Sequence, residues 1–138
     1  MNWWLSGGVG VLLVSGLLVA RGWFRLVTVT GVSMTPVLCR GDVVLVRRSR
    51  RSRRGDIALL RLPPRNTGAM VKRVVAVGGD AVPDDLRHAV GVPVVPAGML
   101  LVRGTTDDSF DSRRFGAVPL SDVEGVVVAV IRRAAHDG

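Results

Sequence analysis

The chain has little of what most catalytic chemistry is built from. It holds one cysteine in 138 residues, Cys39, which excludes an intrachain disulfide framework and any cysteine-rich zinc site. Its two histidines, His88 and His136, lie far apart and in no ligand-like spacing with Cys39, so neither a metal site nor a histidine-based triad is expected. His88 falls in a Pro/Gly loop and His136 in a tail expected to fray, while Cys39 follows apolar Leu38 and reads as a small packed residue. Aromatics make up only 4%, and none interleaves with the basic cluster, which argues against a single-strand nucleic-acid surface. No stretch reads as a long amphipathic helix, and no repeat of solenoid length is present. Lysine is scarcer still: Lys72 is the only one among nineteen Lys and Arg side chains. An ammonium can lose its proton near neutral pH and a guanidinium cannot, so the one lysine is singled out for chemistry.

What is present is apolar and basic. The composition is 48% hydrophobic, enough for a packed core, and the length suits one domain or a smaller domain with a membrane anchor. The net charge of +8 points to an acidic neighbour such as anionic lipid or nucleic acid. From Trp3 to Ala20 there are eighteen residues without a charge, bracketed by Trp3, Trp4 and Trp23. That is about the lower length for a helix crossing a hydrocarbon core of roughly 30 Å, with aromatics at the interfaces. No basic segment precedes the run and no small-residue cleavage site ends it, so a retained anchor is expected over residues 1–25 rather than a cleaved signal. Arg21 and Arg25 beyond the run favour a cytoplasmic C-terminal side by charge asymmetry.

After residue 25 the pattern turns to short runs of β-formers. Leu26–Val32, Asp42–Val46, Asp56–Leu62, Ala69–Val77, Met99–Gly104 and Gly125–Ile131 read as strands, separated by Pro36, Gly41, Gly55, Pro63–Pro64, Gly78–Gly79 and the Pro- and Gly-containing run from Pro83 to Gly98. Residues 26–138 are therefore expected to form an antiparallel β domain, partly closed as a barrel. Arg47–Arg54, RRSRRSRR, reads as a solvated hairpin tip, with contact to anionic lipid headgroups preferred over nucleic acid.

With histidine and cysteine set aside, serine and lysine remain. TGVSMTP, Thr30–Pro36, places Ser33 in a tight turn between Gly31 and Pro36, able to expose a hydroxyl and its backbone N–H together. Serine needs a base, and an amine serves only if burial lowers its pKa from about 10.4. Lys72 shares a strand face with Met70, Val74 and Ala76, but the opposite face carries Val71, Val75 and Val77, so alternation alone does not select the buried side. A structural serine and an exposed lysine remain the alternative on local sequence.

GVSMTP at Gly31–Pro36, RGD at Arg40–Asp42, RRGDI at Arg53–Ile57, KRVVAVGGD at Lys72–Asp80 and SFDSRRFGAV at Ser109–Val118 resemble, in order, the successive boxes of type I signal peptidases. These are serine/lysine membrane endopeptidases, and the boxes cover most of the chain after residue 28. The resemblance implies the mostly β signal peptidase fold, related to the self-cleaving domains of repressors, behind an N-terminal transmembrane helix. It implies Ser33 as nucleophile, Lys72 as general base, Ser109 orienting the amine, and Asp111 with Arg113 bracing the site. The Ser33 backbone N–H matches an oxyanion donor. Gly31 stands where some members carry a second, hydroxyl donor. The implied partners are preprotein signal peptides bound as extended strands, with small residues at the first and third positions before the cut, and the lipid bilayer; no cofactor and no metal are implied. Met34 is expected near the substrate pocket, the lipid surface, or in the core. Family function places the β domain outside the cytoplasm, as a single-pass protein of the cell membrane.

The chain departs from the family pattern in three places. RGTTDDSFDSR, Arg103–Arg113, carries Thr105 and Thr106 where Gly-Asp-Asn is usual, and its loop is one residue shorter; Gly78 replaces a common proline, loosening that turn; and Asp80–Met99 leaves room only for a short hairpin or loop in place of a cap domain. The size is that of a minimal member, such as the mitochondrial inner-membrane peptidases or the nickel superoxide dismutase maturation proteases. Two alternatives fit the same sequence: a dedicated maturation protease, and a non-enzymatic membrane protein using Arg47–Arg54 for lipid or nucleic acid. A self-cleaving repressor is disfavoured, since no helix-turn-helix is present.

Overall fold

The computed structural model describes residues 22–64 and 68–135. The expected anchor over Trp3–Ala20, its flanking Arg21, and His136 lie outside the described residues. Among the described residues no helix is long and apolar enough to cross a membrane.

Among the described residues seven strands form one antiparallel sheet: β1 Phe24–Thr28, β2 Val43–Arg48, β3 Ile57–Leu60, β4 Met70–Val77, β5 Met99–Arg103, β6 Val118–Pro119 and β7 Val123–Arg132. Their order is β1-β2-β7-β3-β4-β5-β6, so the sheet ends at β1 and β6 and is open rather than closed. All six expected strands are present, the first stopping at Thr28 because the chain turns into the Ser33 segment. The added strand, β6, is two residues long, too short to carry a period.

The order corrects the reading of Arg47–Arg54. A hairpin would pair β2 with β3, but β7 lies between them and pairs with both. The arginine segment is therefore a connection passing the end of β7. The insertion is close: a Cβ on Gly125 of β7 would meet Arg47 O and Val46 Cγ1 at 2.5 Å each, so only glycine lets the two backbones approach.

Valine, isoleucine and leucine alternate along these strands, and the core divides into three clusters. Val29, Met34, Leu38, Val44, Val46 and Leu59 form one beneath the Ser33 segment. Ala58, Leu60, Val74, Leu100, Val102, Val118 and Val123 form a second. Ala76, Val82, Leu86, Val95 and Leu101 form the third, which the short segment between β4 and β5 covers with a 3-10 turn, Asp84–Leu86, and one helical turn, Arg87–Val90. That segment contains a single bridge, Ala81 with Val94, in keeping with its expected brevity. Gly78 does not loosen its turn. A Cβ there would press on Pro96 O at 3.0 Å, and Asp80 closes the turn by accepting the Val77 N–H at 2.9 Å.

Candidate active site

The Ser33 turn is pinned from below and behind. Met34 and Leu38, four residues apart, sink into the core at 1% exposure each, and the Leu38 N–H donates to Met34 O at 2.9 Å. This leaves Ser33 half-buried at the rim. The Ser33 carbonyl accepts from the Thr105 N–H at 2.7 Å and the Thr105 hydroxyl at 3.1 Å, and that hydroxyl also donates to Thr35 O. Among the described residues the Ser33 N–H has no acceptor. Asp42, fully buried, ties the far side of the turn: it accepts from the Cys39 N–H at 2.9 Å, the Ala134 N–H at 2.8 Å and Arg133 at 3.1 Å. Those backbone donors hold its carboxyl below the usual aspartate range.

Lys72 faces inward. Along β4, Lys72, Val74 and Ala76 are buried while Val71, Arg73, Val75 and Val77 are only partly so, which answers the ambiguity of the alternation. Its cross-strand neighbour is Ala58, whose single methyl leaves room for a four-carbon stem. Lys72 Nζ lies 2.7 Å from Ser33 Oγ and 2.7 Å from Ser109 Oγ, and the residue is 3% exposed. Burial lowers its pKa from 10.5; the Asp111 charge pulls the other way and Arg113 adds to the lowering.

Ser109 arrives on the loop after β5. Gly104 is required there: a Cβ at that position would lie 2.0 Å from Ser109 Oγ and 2.7 Å from Ser33 O. Asp111 is fully buried and accepts four bonds, from the Gly104 N–H at 2.9 Å, the Arg113 N–H at 3.0 Å, and Nε and Nη2 of the Arg113 guanidinium at 3.0 and 2.8 Å. Burial alone would raise its pKa, but the guanidinium and the two N–H donors hold it lowered. Arg113 also donates to Thr106 O at 2.8 Å, and Ser112, wholly buried, accepts the Val102 N–H at 2.9 Å.

The structure thus brings Ser33, Lys72, Ser109, Asp111 and Arg113 together. Cys39 is half-buried outside this group, and His88 contacts Arg113 O at 3.1 Å from the outer side. Beside Ser33 opens a cleft of about 130 Å³, lined by residues 27–31, Met34, Leu59 and the start of β4. Met34 both packs in the core and lines that cleft. Gly104, Asp42 and Ser112 were not given a role from sequence, and Thr105 was noted only as a departure from the family pattern. Asp42 and Ser112 lie inside the boxes and Gly104 and Thr105 just before the last one, but their work is backbone support, which residue type does not announce.

Among the described residues no group of His, Cys, Asp or Glu is arranged to hold a metal ion. A family model described as signal peptidase, peptidase S26, matches residues 1–85 and 83–132. The mitochondrial ATP-independent inner membrane protease subunit 1b of Arabidopsis thaliana is 36% identical over 111 residues, 71% of this chain and 64% of that protein. The mitochondrial inner membrane protease subunit 2 of Schizosaccharomyces pombe is 30% identical over 112 residues, 75% of this chain and 62% of that protein. The chain thus spans less than two thirds of the length of these relatives. A crystal structure of a signal peptidase I from Enterococcus faecalis V583 aligns with a TM-score of 0.46 at 25% identity, over 56% of this chain and 97% of that one.

Proposed function

The chain belongs to the signal peptidase family, peptidase S26, and from that premise we propose that it is a membrane-anchored serine endopeptidase that cleaves signal or leader peptides from exported preproteins. The observation that carries this reading is the placement of Lys72 Nζ at 2.7 Å from both Ser33 Oγ and Ser109 Oγ in a pocket that leaves the lysine 3% exposed.

Neutral Lys72 takes the Ser33 proton as Oγ attacks the scissile carbonyl, and returns it to the leaving amine as the acyl-enzyme forms. The same amine then activates water for deacylation. Ser109 fixes the amine on the side away from Ser33, so that its lone pair points at the nucleophile. The Ser33 N–H is the oxyanion donor, supported by its lack of an acceptor among the described residues. Asp111 and Arg113 hold the loop that delivers Ser109. The narrow cleft of about 130 Å³ suits small side chains next to the cut, on a substrate lying extended. The run Trp3–Ala20 serves as the single anchor, with the β domain on the extracytoplasmic side; the inner-membrane names of both relatives support the membrane setting.

The test is cleavage of a preprotein by the detergent-solubilised full chain. Wild type is expected to cleave, with Ser33→Ala and Lys72→Arg slower by on the order of 10³-fold or more. Undiminished activity of Lys72→Arg would overturn the base assignment.

A further inference from the structure

The larger of the two described clefts is not beside Ser33. It measures about 420 Å³ and opens at the other end of β1, between Trp23, Phe24 and Arg25, the arginine connection at Arg48 and Arg50, and Glu124 at the start of β7. Its one carboxylate is already engaged. Glu124 accepts from Arg25 at 2.8 Å and from Arg61 at 2.5 Å, so its two oxygens are each held by a guanidinium. Arg47, Arg48, Arg50, Arg51, Arg53 and Arg54 are all exposed, and among the described residues none of their guanidinium groups is paired with a carboxylate. The cleft is therefore positive on one wall and aromatic on the other, where Trp23 is 61% and Phe24 41% exposed.

We propose that this cleft binds the phosphate headgroup of an anionic phospholipid, with Arg48 and Arg50 on the phosphate and Trp23 and Phe24 against the glycerol and upper acyl chain. Guanidinium forks match phosphate oxygens, and tryptophan beside phenylalanine is suited to the boundary between headgroup and hydrocarbon. Topology supports a lipid over a soluble anion. The uncharged run Trp3–Ala20 ends four residues before β1 in the sequence, and Phe24, the first residue of β1, is in register with Arg47, so the start of β1 and the arginine connection lie at one end of the sheet. The absence of aromatics inside Arg47–Arg54 disfavours nucleic acid.

The site uses neither Ser33 nor Lys72, so it is tested on the full-length Ser33→Ala chain in dodecyl maltoside, independently of peptidase activity. The readout is the rise in thermal unfolding midpoint on adding phosphatidylglycerol, compared with phosphatidylcholine at equal mole fraction. Phosphatidylglycerol is expected to give the larger rise. Arg48→Gln with Arg50→Gln should raise its half-saturating mole fraction on the order of tenfold, while Arg53→Gln with Arg54→Gln, an equal charge change outside the cleft, should raise it less than about threefold. Arg48→Lys with Arg50→Lys, which keeps the charge and loses the forks, should fall between wild type and the glutamine pair. Equal rises with the two lipids, equal losses from the two glutamine pairs, full reproduction of the rise by glycerol 3-phosphate, or displacement of the lipid by a short DNA duplex would each overturn the proposal.

Discussion

At the scale of single residues, the arrangement turns on how a buried amine is kept from holding its proton. Burial lowers the Lys72 pKa, but Asp111 nearby would draw a proton back. Arg113 counters this twice, occupying both Asp111 oxygens with its own guanidinium and adding a positive charge of its own. The sign for activity follows. Cleavage should rise with pH as Lys72 deprotonates, with a midpoint below the ordinary lysine value of about 10.4. Arg113→Gln removes a cation and exposes the Asp111 charge, and both changes raise the Lys72 pKa, so the midpoint of the kcat/KM profile should move to higher pH. A loss of rate at every pH without movement of the midpoint would assign Arg113 a bracing role alone. Stability has the same direction: between the lowered folded pKa and about 10.4 the unfolded chain binds the Lys72 proton more tightly, so this residue's contribution makes stability increase with pH.

At the scale of elements, the loop from Gly104 to Asp111, closed by the helical turn Ser112–Phe115, holds two hydroxyls against one amine. Its usual Gly-Asp-Asn start is replaced, yet Thr105 grips the Ser33 carbonyl with both its N–H and its hydroxyl. The most sensitive position is Gly104. In Gly104→Ala the new methyl must displace Ser109 Oγ or the Ser33 carbonyl. Overpacking of this kind costs roughly 1–3 kcal/mol, while a displacement of about 1 Å at reacting groups costs on the order of 10²-fold in rate. The variant should therefore remain folded by thermal unfolding and lose about 10²-fold or more in turnover; near wild-type turnover would show that the loop accommodates the methyl. The six main strands were legible because β-branched runs between Gly and Pro leave a local signature. The strand order was not, since the placement of β7 between β2 and β3 depends on Gly125 allowing close approach to Arg47. The residues of the Ser33–Lys72 site were legible as ordered boxes, but the buried face of β4 was not, because both faces of that strand are apolar and the inner one is set by the packing of Val74 and Ala76 against residues distant in sequence.

At the scale of the whole molecule, β1 separates the two clefts. Phe24 and Arg25 at its start line the larger cleft, while Val27 and Thr28 at its end line the one beside Ser33 and lead into the Ser33 turn. If the apolar run anchors the chain, β1 leads from the anchored end of the sheet to the Ser33 turn. The side of the membrane is a separate matter. Arg21 and Arg25 favour the cytoplasm, but the charge rule is counted over short loops of up to about 60 residues, and longer domains cross largely regardless of it. The strands alone run from Phe24 to Arg132, which is in that longer class, so the proposed extracytoplasmic placement is compatible with those charges. The exposed arginines of 47–54 make the placement directly readable. Trypsin added to right-side-out membrane vesicles should cut first in that connection and release no anchor-bearing fragment from the membrane. Protection of Arg47–Arg54 until the vesicles are permeabilised would place the β domain in the cytoplasm, and with it remove exported preproteins as substrates while leaving the geometry of Ser33 and Lys72 intact.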